Sequence, residues 1–93
     1  MKRPPQTAKA HPATVKVWRT LKDKYPDCIL VIRSSENYLG FNMDAKHLAE
    51  VLGDIPKKHL REEFQYRFSH YRLDTILSAM IKAGFRVAVY DPL

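Results

Sequence analysis

Cys28-Ile29-Leu30-Val31-Ile32 is an unbroken apolar run of strand length, rich in β-branched side chains. Side chains alternate across a strand, so a strand that is apolar at every position must be covered on both faces. That requirement constrains the chain more than any other feature. With 93 residues it has room for one domain and one layered core. Its 45% hydrophobic and 11% aromatic content suits such a core and argues against wholesale disorder.

The covering elements can be placed from spacing. Pro12 fits the first turn of a helix. Val17, Trp18, Leu21 and Tyr25 follow at helical intervals, with Lys16, Arg19, Lys22 and Lys24 mostly opposite. This helix should run from Pro12 to Lys24 and stop before Tyr25-Pro26, because a residue ahead of proline is pushed out of helical geometry. After the apolar strand, Ser34-Ser35-Glu36-Asn37 is turn-forming, and Tyr38-Leu39-Gly40-Phe41 suits a second strand paired as a hairpin. Asn42 reads as the cap of a second helix buried through Ala45, Leu48, Ala49 and Leu52, and Gly53 ends it. Leu60 to Phe68 alternates loosely, as a strand with an aromatic face would. Ser69 then caps a third helix with the stripe Leu73, Ile76, Leu77, Met80 and Ile81, stopped by Gly84. Phe85 to Tyr90 is the last strand. Helices must cover the sheet, so the expected class is α+β: a mixed sheet of about four strands covered by three helices. Residues 1–10 are polar, basic and proline-bearing, and read as a flexible basic tail ahead of a domain spanning 11–93.

The net charge is +6, and its location matters more than its size. Lys2, Arg3 and Lys9 face no acid in the tail. Lys57, Lys58, Arg61, Arg67 and Arg72 outnumber Glu62 and Glu63 by three, and the remaining eight basic and eight acidic residues balance. A clustered excess is the electrostatic footprint of a phosphate-binding surface. The second basic stretch interleaves cations with Phe64, Tyr66, Phe68 and Tyr71. On a strand, alternation alone explains the first three rings as core, which leaves Arg67 pointing the other way.

Other chemistry is poorly served. His11, His47, His59, His70 and Cys28 show no pair at metal-ligand spacing. Cys28 opens an apolar run and reads as a buried, inert thiol. Ser34 and Ser35 lack a nucleophile elbow. Glu62 and Glu63, adjacent on a strand, point to opposite faces. Gly40, Gly53 and Gly84 form no phosphate-cradling loop. The reading is therefore a non-enzyme that calls for no cofactor. No apolar run approaches the roughly 20 residues of a membrane-spanning helix. The N-terminus lacks a secretory signal, and the single cysteine fits a cytoplasmic setting.

Two segments carry a family resemblance: Tyr25 through Phe41 with Asp44-Ala45, and Leu73 through Asp91. They resemble the N-terminal, mismatch-recognition domain of the MutS family of DNA mismatch-repair proteins. The resemblance runs from about His11 to the C-terminus, with a shortened loop between Gly53 and Phe64. It implies the family's fold and a DNA-contacting role. In the family a phenylalanine wedges into the base stack, and a glutamate two residues later hydrogen-bonds the mismatched base. Asn37 and Leu39 stand at those positions here, with Ser35 for a glycine and Glu36 for an aspartate. Arg33, Tyr38 and Phe41 are kept, at positions that look structural. Pro92 stands where a glutamine is usual. The family's connector, lever, clamp and ATPase domains are absent from this sequence. Without the ring, mismatch-specific intercalation is not expected.

The expected function is thus a DNA-binding module contacting duplex phosphates weakly and without sequence preference, through Lys57, Lys58, Arg61, Arg67, Arg72, Lys2, Arg3 and Lys9. The alternative is a protein–protein interaction domain reusing the same scaffold in a DNA repair or mobile-element context, docking on other repair or DNA-processing proteins.

Overall fold

The computed structural model describes residues 12–54 and 65–92. In chain order the elements are α1 (Pro12–Lys24), β1 (Cys28–Ser34), β2 (Asn37–Phe41), α2 (Asn42–Val51), β3 (Gln65–Ser69), α3 (Leu73–Lys82) and β4 (Arg86–Tyr90), with one 3-10 turn, His70–Arg72, leading into α3. The strands form one sheet in the order β3-β2-β1-β4. β1 runs antiparallel to β2 and parallel to β4, and β2 runs antiparallel to β3. This is the mixed four-stranded, three-helix α+β arrangement expected from the sequence.

The apolar run of β1 lies inside the sheet and is covered on both faces. Ile29 and Val31 face α2 and α3, packing with Tyr38, Tyr66, Phe68, Ala45, Leu48, Ala49, Ile76 and Met80. Leu30 and Ile32 face α1, packing with Leu39, Phe41 and Trp18, and with Val15 and Leu21 at the margin. Tyr66 and Phe68 are buried, so the alternating rings of β3 are core. Phe64 and the rest of the expected strand from Leu60 lie outside the described residues.

Glycine ends two helices as expected. Gly53 (φ 79°) and Gly84 (φ 95°) take the left-handed conformation that a side chain disfavours. The following N–H groups, of Asp54 and Phe85, then reach back to the carbonyls of Ala49 and Met80, closing the helix end. Phe85 thereby packs its ring onto the α2/α3 core.

Several expectations are corrected. Asn42 is not a side-chain cap. It is the first residue of α2, at φ 54°, and no side chain caps that helix. The asparagine is suited to the position because it tolerates left-handed backbone. Ser69 caps the 3-10 turn rather than α3 itself, accepting from the Tyr71 N–H. Val17, Tyr25 and Ile81 are exposed, so the buried stripes of α1 and α3 are narrower than their spacing implied. Cys28 is only partly buried, at the open end of β1.

The β1–β2 hairpin turns on two residues, Ser35 and Glu36, between the paired Ser34 and Asn37. Ser35 sits at φ 57°. A positive φ at the first central position is the pattern that glycine serves best. Ser35→Gly is therefore expected to stabilise the chain by about 0.5–1 kcal/mol, read as a higher urea midpoint at unchanged slope.

Candidate nucleic-acid interface

Only two of the eight cations assigned from the sequence lie among the described residues. Lys2, Arg3, Lys9, Lys57, Lys58 and Arg61 lie outside them. Arg67 pairs across the ladder with Leu39, whose side chain packs toward α1. Facing residues share a side of the sheet, so Arg67, half-buried, stands on the α1 side of β3. Arg72 is exposed at the end of the 3-10 turn. The two arginines thus stand on different elements, Arg67 on the α1 side of β3 and Arg72 in the 3-10 turn beyond the end of that strand.

The hairpin turn is held at that same end. The His70 N–H donates to the Glu36 carbonyl at 2.9 Å, and Asn37 pairs with Ser69. Because β4 is parallel to β1, its C-terminal end arrives there too, with Tyr90 opposite Ile32. One end of the sheet therefore gathers Ser34 to Asn37, Ser69 to Arg72, and Tyr90 with Asp91. Tyr71 within this group is 83% exposed.

Within the hairpin, Arg33, Tyr38 and Phe41 brace the fold. The Arg33 guanidinium donates to the Ser35 carbonyl at 2.6 Å, lies 5.6 Å from the Tyr38 ring centroid and pairs with Asp91 at 3.5 Å. Tyr38 stacks on Phe68 with centroids 5.6 Å apart. Phe41 is buried and meets Trp18 edge-on. The residues of the expected wedge loop, Ser35, Glu36, Asn37 and Leu39, behave differently. Leu39 is 8% exposed and part of the α1-side core. Asn37 is only half-buried, and Ser35 and Glu36 are exposed in the turn.

Asp44 and Ala45 are also structural. The buried Asp44 carboxylate accepts from the Leu30 N–H at 3.0 Å and from Lys22 Nζ at 2.9 Å. Lys22 donates further to the Cys28 carbonyl. Leu30 pairs with Ala88 of β4, but the paired register of β1 with β2 covers only Ile32 to Ser34, so on that side the carboxylate takes the place of β2. Ala45, on the inner face of α2, is fully buried.

Among the described histidines, His47 packs on Phe85 and His70 on Tyr71. Among the described residues no group of three or more His, Cys, Asp or Glu side chains could hold a metal ion, and no helix is long and apolar enough to cross a membrane.

Of the rings interleaved with cations in the 64–72 stretch, strand alternation assigns Phe64, Tyr66 and Phe68 to the core and leaves Tyr71 unassigned. The signal was present: Ser69 interrupts the strand, so the in-out alternation that buries Tyr66 and Phe68 no longer governs Tyr71.

Comparison with known proteins accounts for this framework. The family model described as MutS domain I matches residues 12–93. The chain is similar to proteins named DNA mismatch repair protein MutS. It is 36% identical over 77 residues to that of Porphyromonas gingivalis, covering 78% of this chain and 9% of the relative. It is 35% identical over 83 residues to that of Parabacteroides distasonis, covering 85% and 10%. It is 29% identical over 83 residues to that of Chlorobium limicola, covering 89% and 10%. The chain spans about a tenth of the length of the curated relatives it matches.

Proposed function

Because this chain belongs to the MutS domain I family, we propose that it is a DNA-binding module of mismatch-repair type that holds duplex DNA without discriminating mismatches. The observation that carries the DNA reading is the family match, which embraces every described element from α1 to β4. The uneven charge supports it: the whole excess of +6 derives from the tail and the 57–72 stretch. Lys2, Arg3, Lys9, Lys57, Lys58, Arg61, Arg67 and Arg72 supply the phosphate contacts. Such contacts position a protein on DNA but carry no sequence information.

Two side chains support the loss of discrimination. Asn37 has no ring to enter a base stack. Leu39 is committed to the core beside Trp18 and has no group that accepts a hydrogen bond from a base. A chain with neither device has nothing to offset the unstacking cost of a kinked mismatch.

The test is a titration of the full chain at two salt concentrations with matched and singly mismatched duplexes. Both duplexes should bind equally at low salt and lose affinity together as salt rises. Arg72→Ala should weaken both alike and reduce the slope of log K against log salt by about one. A mismatch preference that survives high salt would refute the loss of discrimination. Failure to bind either duplex at low ionic strength would instead favour a protein-docking role for the same scaffold.

A further inference from the structure

Tyr71 is the most exposed large apolar side chain among the described residues. Val17, Met43 and Ile81 are exposed singly on helices, where isolated exposure is ordinary, and the other exposed rings, Tyr25 and Tyr90, are 50% and 38% exposed against 83% for Tyr71. Tyr71 is a ring, and its backbone is pinned. Its N–H bonds the Ser69 hydroxyl at 3.4 Å, and the preceding residue is tied to the hairpin turn through the His70 N–H and the Glu36 carbonyl. The His70 ring lies 4.1 Å from the Tyr71 ring, centroid to centroid, with the planes 34° apart. A ring backed by another ring on one side and exposed to this degree has an open face. Arg72, also exposed, follows directly in the chain.

A held aromatic face with a cation beside it in the chain is the equipment that binds single-stranded nucleic acid, where bases stack on rings and cations meet the phosphates. Paired bases in a duplex offer no free face to such a ring. The geometry points to a stacking platform: Tyr71, supported by His70 and assisted by Arg72, takes an unpaired base of single-stranded DNA at the hairpin end of the sheet. This rests on the nucleic-acid reading above and adds a preferred strand state to it. Glu36 and Asp74 are exposed in the adjoining turn and in the first turn of α3, so the local field is mixed. Stacking, rather than charge, must carry the contact, and binding at this point should resist salt better than the phosphate track does.

The experiment compares the full chain with Tyr71→Ala and Tyr71→Phe by fluorescence anisotropy. The probes are a labelled thymidine homopolymer, an abasic strand of equal length and a matched duplex. Tyr71→Ala should bind the thymidine strand roughly tenfold more weakly, while Tyr71→Phe binds it as the parent does. The abasic strand and the duplex should not distinguish the three proteins. Tyr71 is exposed, so unchanged circular dichroism is expected for both variants. If Tyr71→Ala holds the thymidine strand as tightly as the parent while duplex binding persists, the platform is overturned and the duplex reading stands. If no probe binds at low salt, both fall together.

Discussion

Asp44→Ala should lower the stability of the chain by about 3 kcal/mol, the low end of what removing one partner of a buried ion pair costs. The low end applies because Lys22, the partner left behind, retains 24% side-chain exposure and can recover water. The Leu30 N–H cannot. It is buried in β1 and its acceptor would be gone, which alone costs about 1–3 kcal/mol. Asp44→Asn separates the contributions, since its amide oxygen can still accept from Leu30 while the charge is lost. It should fall between the parent and the alanine variant. Urea unfolding followed by circular dichroism reads all three. Equal stability of the alanine variant and the parent would mean that the carboxylate contributes nothing net. For a domain whose total stability is of the order of 5–15 kcal/mol, the expected loss is a large fraction.

Trp18→Ala should cost about 3–5 kcal/mol, because it empties the contact between α1 and the sheet. Trp18 is the buried anchor of that helix, with Val15 and Leu21 only at the margin. Its ring meets Phe41 edge-on at 5.7 Å between centroids, and its indole N–H donates to the Leu30 carbonyl at 3.2 Å. The alanine variant should also bind an environment-sensitive apolar dye, since Leu30, Ile32, Leu39 and Phe41 lose their cover. Trp18→Phe keeps most of the bulk and gives up the hydrogen bond, so its loss should be nearer 1 kcal/mol. An alanine variant as stable as the parent, with no dye binding, would show that α1 does not hold that face.

The two variants mark what could and could not be read from the chain itself. The two-sided burial of β1 follows from five successive apolar residues. The ends of α1, α2 and α3 follow from Pro26, Gly53 and Gly84, because those residues act on the backbone within a turn. Val17, Tyr25 and Ile81 defeated the same logic. Helical spacing says which residues share a stripe, but the width of the partner surface decides how much of the stripe is covered. An N-cap and a left-handed first residue both favour asparagine, so Asn42 alone does not tell the two apart. The Lys22–Asp44 pair spans 22 positions and joins a helix to the start of another across a strand, so no local pattern announces it. For the candidate interface, charge clustering points to Arg67 and Arg72, but spacing does not show that one stands on β3 and the other in the 3-10 turn beyond it. The bond from His70 to Glu36, which brings Tyr71 to the hairpin end, crosses 34 positions and was not foreseeable from spacing.

The parallel pairing of β4 with β1 has a bearing on biogenesis. A ribosome releases β1 long before residues 86–90, which complete its second flank. Until then, the most apolar strand of the sheet has a bare side able to pair with another nascent chain. A translation pause before β4 would prolong that hazard.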